Sequence, residues 1–182
     1  MEAARMIAKS GAKPKRTILF IGFAGEEFGL LGAQAWVKAH KDKLPKIANL
    51  FNRDGGPEPP VGISVPQAMY DDFVKISEPI QKIRPDYPFE VKVREPRKRP
   101  TRMGGTDASV FAIEGVPTLG FTTEDFKGYD FDYGEIWHTE RDLYTKNIPE
   151  YQEHTATVTA IIALGVANLD KQLSREGLYT EE

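Results

Sequence analysis

The chain has 182 residues, enough for one domain spanning 1–182 with a core that needs no disulfide or metal staple. A net charge of −3 argues against a general nucleic-acid binder, and the absence of cysteine excludes a disulfide framework, thiol catalysis and cysteine-bound zinc. The basic stretch from Lys92 to Arg102 is broken by Pro96 and Pro100 and reads as a solvated loop. No apolar run reaches the ~18 residues that cross a bilayer, so no membrane partner is expected.

In chain order, residues 1–10 form an amphipathic helix with Ala3, Ala4, Ile7 and Ala8 on one side. It opens without a cap or a preceding strand, so Met1 reads as an internal boundary of a longer protein. After a turn at 11–15, Thr17–Phe23 is almost continuously apolar, the pattern of a strand buried on both faces. Residues 28–40 are helical, with Leu30, Leu31, Ala35 and Val37 inward, and Pro45 marks the stop. A second strand is expected at 47–52, then a turn at Asp54-Gly55-Gly56-Pro57.

Proline-rich residues 57–66 read as loop plus a short extended piece. A helix is expected over 67–84, with Met69, Phe73, Ile76, Ile80 and Ile83 at helical spacing. Strict alternation predicts a strand at 89–95. Thr106 is expected to cap a short helix at 107–113, before a strand at 116–122 and a long loop at 127–137. Asn147 is expected to cap the last helix, with Pro149 in its first turn. Strands alternating with helices imply an α/β sandwich of three layers around a mixed, mainly parallel sheet.

In such folds ligands collect where strands end. Glu26 and Glu27 follow the first predicted strand, Asp54 follows the second, and His138 lies in a loop after the last. Adjacent carboxylates repel each other and lose hydration, so a pair bracketed by Gly25 and Gly29 after so apolar a strand points to chemistry. A helix dipole accounts for one first-turn acid but not readily for two. Two carboxylates and an imidazole on separate loops suit a zinc-like ion, with a further carboxylate left to carry protons. Asp54 alone would be a turn residue; its partnership raises it to a candidate. Trp137, Tyr133 and Tyr129 could wall a pocket near His138. His40 reads as a surface residue, and His154 as facing solvent or packing on the last helix.

These motifs resemble the M28 family of zinc-dependent exopeptidases. The matching residues are Gly25 to Ala33, Asn52-Arg53-Asp54, Gly104 to Phe111, Gly115-Val116-Pro117, and Trp137-His138-Thr139 with Asp142. The likeness runs from residue 1 to about 170 and implies the catalytic domain's C-terminal part, a zinc-exopeptidase-like fold lacking its N-terminal portion. It implies Glu26 as general base, Glu27 as ligand of one zinc, Asp54 and His138 as ligands of a second, and Asp107 as a supporting acid. Ala108 stands where many members carry histidine.

The resemblance also implies a peptide substrate and a secreted or periplasmic parent protein, although nothing in these residues shows export. The family's remaining His and its metal-bridging Asp precede the opening helix and have no counterpart here. Weak metal binding, little activity of the chain alone and self-association through an exposed strand edge are therefore expected. Aminopeptidase is favoured slightly, with Asp130, Asp132 and Glu135 as candidate receivers of an α-ammonium. Arg97, Arg99 and Arg102 are the corresponding candidates for a carboxypeptidase. A glutaminyl-cyclase-like enzyme and a non-catalytic α/β binding or scaffold module are the alternatives.

Overall fold

Strand β1, Pro60–Val65, is central to a three-stranded sheet of order β2-β1-β3. This computed structural model describes residues 1–180. Proline is tolerated at the first position of β1 because it leaves later ladder donors intact. Strand β2, Glu90–Val93, runs parallel to β1 with Gly62 opposite Glu90 and Val65 opposite Val93. Strand β3, Phe121–Thr123, runs antiparallel, with Ile63 opposite Phe121. A parallel pair needs a crossover, and helix α3, Tyr70–Ile83, supplies it.

Helix α1 is Glu2–Lys9, α2 Leu31–Ala39, α4 Ala108–Ile113, α5 Tyr133–Ile136 and α6 Pro149–Asn168. Two apolar clusters result. In the first, Ile63 and Val65 of β1 meet Phe73 and Ile80 of α3 and Val158 and Ile162 of α6. In the second, Leu30, Ala33 and Val37 at α2 meet Val110 and Phe111 of α4 and Val116. α3 and α6 approach closely at Gly165, where an added Cβ would lie 2.4 Å from Ile76 Cγ2.

The mixed α/β architecture is the expected one. The strand expected at 89–95 is β2, and the one expected at 116–122 starts only at Phe121. The short extended piece expected within 57–66 is the central strand, Pro60–Val65. Residues 17–23 and 47–52, expected as strands, form no strand and join no ladder. Segment 47–52 nevertheless bridges both clusters: Ala48 and Phe51 pack on the first, Ile47 and Leu50 on the second. The Leu50 amide donates to the Pro117 carbonyl at 2.9 Å. Asn49 then substitutes a side chain for a ladder rung. Its Oδ1 accepts from the Leu119 amide at 2.9 Å and its Nδ2 donates to the Leu119 carbonyl at 3.3 Å.

Smaller expectations also shift. Helix α2 begins at Leu31, whose side chain is exposed, while Ala33 rather than Ala35 points inward. Asp107, not Thr106, is the residue before α4, and neither side chain caps it; the Thr106 carbonyl accepts from the Ser109 amide instead. Ile148 precedes α6, and the Asn147 side-chain oxygen is buried without a partner. The long loop contains α5, capped by Asp132, which accepts from the Gly134 amide at 2.8 Å.

His154 is wholly buried. Its Nε2 lies 3.0 Å from the Pro60 carbonyl, which can only accept, so Nε2 carries the proton. The ring stacks on Tyr87 at 4.0 Å and Nδ1 has no partner. Burial holds the imidazole neutral, with its pKa pushed down to about 4. The unfolded chain therefore binds more protons between about pH 6.5 and 4, and stability falls as pH drops through that window. Over it, wild type should lose on the order of 3 kcal/mol more than His154→Gln in urea melts. At neutral pH, Asn49→Ala should cost about 1–3 kcal/mol in the same measurement, because it orphans both backbone groups of Leu119.

Candidate metal and catalytic cleft

The acidic pair is raised by a tight reversal between residues 24 and 32. Gly25 and Gly29 take the left-handed region at φ +69° and +102°, and Leu30 joins them at +61°. The amides of Gly29 and Leu30 donate to the Glu26 carbonyl at 3.0 and 2.8 Å, and the Gly32 amide closes onto the Ala24 carbonyl at 2.9 Å. A Cβ on Gly32 would lie 2.6 Å from that oxygen and 2.8 Å from the Ala24 nitrogen. Glycine is therefore needed for α2 to seat against the turn. Glu26 and Glu27 sit in the reversal, before the helix rather than in its first turn.

Asp54 is held by its neighbour. Arg53 Nη2 donates to the Gly56 and Glu58 carbonyls, each at 2.6 Å, and so closes the turn that carries Asp54. Gly56 fits under Phe131, whose ring carbon would stand 2.6 Å from an added Cβ. His138 follows α5 with a left-handed backbone at φ +56°, unusual for a residue with a side chain. Its side chain is largely exposed, so no burial compensates that backbone.

Glu26, Glu27, Asp54 and His138 line one cleft of about 1130 Å³, together with Asp142, Tyr133 and Trp137. His138 Nε2 stands 3.2 Å from Glu27 Oε1. Desolvation raises the pKa of Glu26, and the Asp54, Glu27 and Asp107 carboxylates raise it further against a smaller opposing effect of His138. Asp107 is buried; desolvation, then Asp54, raises its pKa, and its Oδ1 has no hydrogen-bond partner.

The donors are oxygen, oxygen and nitrogen, the kind zinc takes. Their placement is looser. Among the described residues no group of three or more His, Asp or Glu side chains is gathered closely enough to hold a metal ion. The chain's own residues thus make the Glu27–His138 pair and bring Asp54 to the same cleft, without closing a coordination shell.

Other candidates are displaced from the cleft. Tyr129 hydrogen-bonds Glu150 and packs edge-on against Tyr151, whose hydroxyl donates to Asp125 at 2.6 Å. Asp132 is spent on the α5 cap, and Glu135 pairs with Lys146 at 2.9 Å. Arg97 and Arg99 donate to the carbonyls of Thr118 and Ile113. Neither of the two predicted charge sets lines the cleft. Missed by sequence reasoning were Tyr144, Lys146 and Gln152, which reach the wall from just before and within α6. Tyr144 lies only two residues beyond Asp142, whereas Lys146 and Gln152 lie farther from any motif and gave no signal.

The fold and cleft define a class: a mixed α/β protein with an acid-and-imidazole cleft at its loop ends. The chain belongs to peptidase family M28, whose sequence pattern matches residues 1–162. It is 24% identical over 179 residues to carboxypeptidase Q of Mus musculus, covering 96% of this chain and 34% of that one. Over 54 residues, 30% of this chain and 10% of the relative, it is 44% identical to a probable zinc metalloprotease of Phaeosphaeria nodorum.

Among solved structures, a peptidase M28 precursor from Shewanella amazonensis superposes with a TM-score of 0.72 at 26% identity, covering 95% of this chain and 36% of that one. A zinc aminopeptidase from Bacillus subtilis shares the fold, with a TM-score of 0.59 at 19% identity, covering 98% of this chain and 42% of that one. The chain spans about a third of the length of the carboxypeptidase Q relatives it matches.

Gly32→Ala tests the turn. Alanine normally favours a helix by up to ~1 kcal/mol over glycine, yet here two backbone atoms stand in the way. The variant should lose about 1–3 kcal/mol in urea unfolding. Gly120→Ala, where the added Cβ meets nothing within 4 Å, should stay within about 0.5 kcal/mol.

Proposed function

We propose that this chain forms part of a metal-dependent exopeptidase site that hydrolyses terminal peptide bonds. The observation that carries the proposal is that Glu26, Glu27, Asp54 and His138, from three separate loops, line one cleft in an M28 chain. In this reading Glu27, Asp54 and His138 are the donors that this chain contributes to a zinc centre of two ions. Further donors come from outside residues 1–182, which accounts for the open shell. Zinc bound there would supply a Lewis acid for the scissile carbonyl and lower the pKa of a water toward ~7.

Glu26 then has the proton work. Desolvation, and then the neighbouring carboxylates, make its carboxylate more basic than an ordinary glutamate, so it can take a proton from the attacking water. As the C–N bond breaks, it passes that proton to the departing amine. The hydroxide equivalent stays on the carbonyl carbon, leaving a free acid and a free amine. Trp137 and Tyr133 give the cleft an apolar wall against which a side chain can rest.

Attack from the amino end fits the charge distribution better. The two cations of the cleft are already engaged, Arg53 by backbone carbonyls and Lys146 by Glu135. A terminal carboxylate would find neither available. With Glu27 and Asp54 given to zinc and Glu26 to proton transfer, an α-ammonium would meet the lining carboxylate of Asp142.

The test uses the zinc-loaded protein with aminoacyl-p-nitroanilides and with N-acetylated peptides ending in a free carboxylate. Cleavage of the first and not the second is expected. Glu26→Gln should lower kcat by about 10²–10⁴-fold while calorimetry shows zinc uptake unchanged. Full activity of that variant would remove Glu26 from the role of base, and preference for the acetylated peptides would reverse the end of attack.

A further inference from the structure

His138 keeps a left-handed backbone at φ +56° although its side chain is largely exposed. A conformation of that kind persists only where its surroundings over-determine it. The helix before it, α5, is a single turn, too short to hold its shape alone. That turn is restrained by the Asp132 cap and by the buried side chain of Ile136. Both act before His138.

Glu135 acts on both sides of it. Its carbonyl accepts from the Thr139 hydroxyl at 2.8 Å, and that hydroxyl accepts from the Arg141 amide at 3.1 Å. The Glu135 carboxylate takes Lys146 Nζ at 2.9 Å, with Arg141 more distant at 3.8 Å. Glu135 and Lys146 therefore close residues 136–145 into a loop, and His138 lies inside it. Lys146 ends the 3-10 turn at 144–146 that leads into α6, where Tyr151, His154 and Val158 are fully buried. The pair ties a helix of one turn to a helix anchored in the core.

The pair also has an electrostatic side. Lys146 lines the same cleft as Glu27, Asp54 and His138. An ammonium in that wall opposes a divalent cation, and the Glu135 carboxylate offsets it.

We propose that Glu135 and Lys146 are positioning residues for His138: their ion pair closes the loop that holds the imidazole beside Glu27, and Glu135 neutralises the Lys146 ammonium in the cleft wall. The inference rests on the proposed zinc site and adds to it two residues that neither ligate nor transfer protons. Both side chains are more than a third exposed, so the pair contributes a factor of at most about 5 to an equilibrium.

Calorimetric zinc titration, and hydrogen exchange read by NMR on the metal-free 182-residue protein, test this. Lys146→Met removes a cation from the cleft, so charge alone would tighten zinc binding. Loss of the brace instead weakens it, and a Kd higher by about 2–5-fold is expected. Lys146→Arg, which keeps the pair, should bind zinc as wild type does. Glu135→Gln loses the brace and also leaves Lys146 unpaired, so its Kd should rise further than that of Lys146→Met. The amides of Trp137, Thr139 and Asp142 each donate to a backbone carbonyl of this region. In metal-free Lys146→Met they should exchange about 2–5-fold faster, while Val158 and Ile162 do not change.

Tighter zinc binding by Lys146→Met would overturn the proposal, and so would zinc binding and exchange that both stay at wild-type values. Faster exchange along the whole of α6 would make the pair a general stabiliser and overturn its positioning role. Faster exchange confined to 137–142, with zinc binding unaffected or absent in wild type, would uphold the brace. That last result would count against the proposed metal site alone.

Discussion

The candidate site depends on one strained turn that is held by burial. Leu30 adopts a left-handed backbone, which costs an ordinary residue roughly 1–2 kcal/mol. Its side chain is 5% exposed within the second apolar cluster, and burying a leucine returns about 1.5–3 kcal/mol. The balance favours the turn, and Gly25, Gly29 and Gly32 make it sterically feasible. Glu26 and Glu27 are therefore presented by packing a few residues away, with no need for favourable interactions of their own. A core residue fixes where charge is placed.

That placement has an electrostatic result. Desolvation, then the carboxylates of Asp54, Glu27 and Asp107, raise the pKa of Glu26, and the imidazole of His138 only partly offsets them. Such an arrangement is costly unless a cation or a shared proton relieves it. Backbone strain at exposed His138, uncompensated by burial, belongs with the same reading, since strain of this kind gathers at functional sites. By contrast the other ionic cluster, around Lys127, Glu150 and Tyr87, is internally paired: Lys127 meets Glu150 at 2.6 Å and Tyr87 bonds Glu150 at 3.0 Å. It ties the loop after β3 to α6 and leaves no charge wanting a partner.

The site was more legible than the sheet. Glu26-Glu27 between glycines, Asp54 before Gly55-Gly56 and His138 after Trp137 are local signals, and local chemistry brought each to the cleft. Strands are not local. Thr17–Phe23 has the composition of a buried strand, yet it joins no ladder among residues 1–180. The proline-rich 57–66 obscured the extent of the central strand, although its prolines lie before, at the start of and just after the ladder, where they cost nothing. Asn49 could not be foreseen at all: a side-chain amide standing in for a backbone rung has no sequence signature. The same holds for Lys146 and Gln152, which reach the cleft only through the position of α6.

The central claim is that Glu27, Asp54 and His138 converge on one zinc-binding cleft. Zinc K-edge X-ray absorption on the protein titrated with one equivalent of zinc tests it most directly, comparing wild type with His138→Gln. Convergence predicts a first shell of nitrogen and oxygen at about 2.0–2.2 Å, with the outer-shell scattering of a single imidazole that the substitution removes. A spectrum of hydrated zinc, or imidazole scattering that persists without His138, would contradict it.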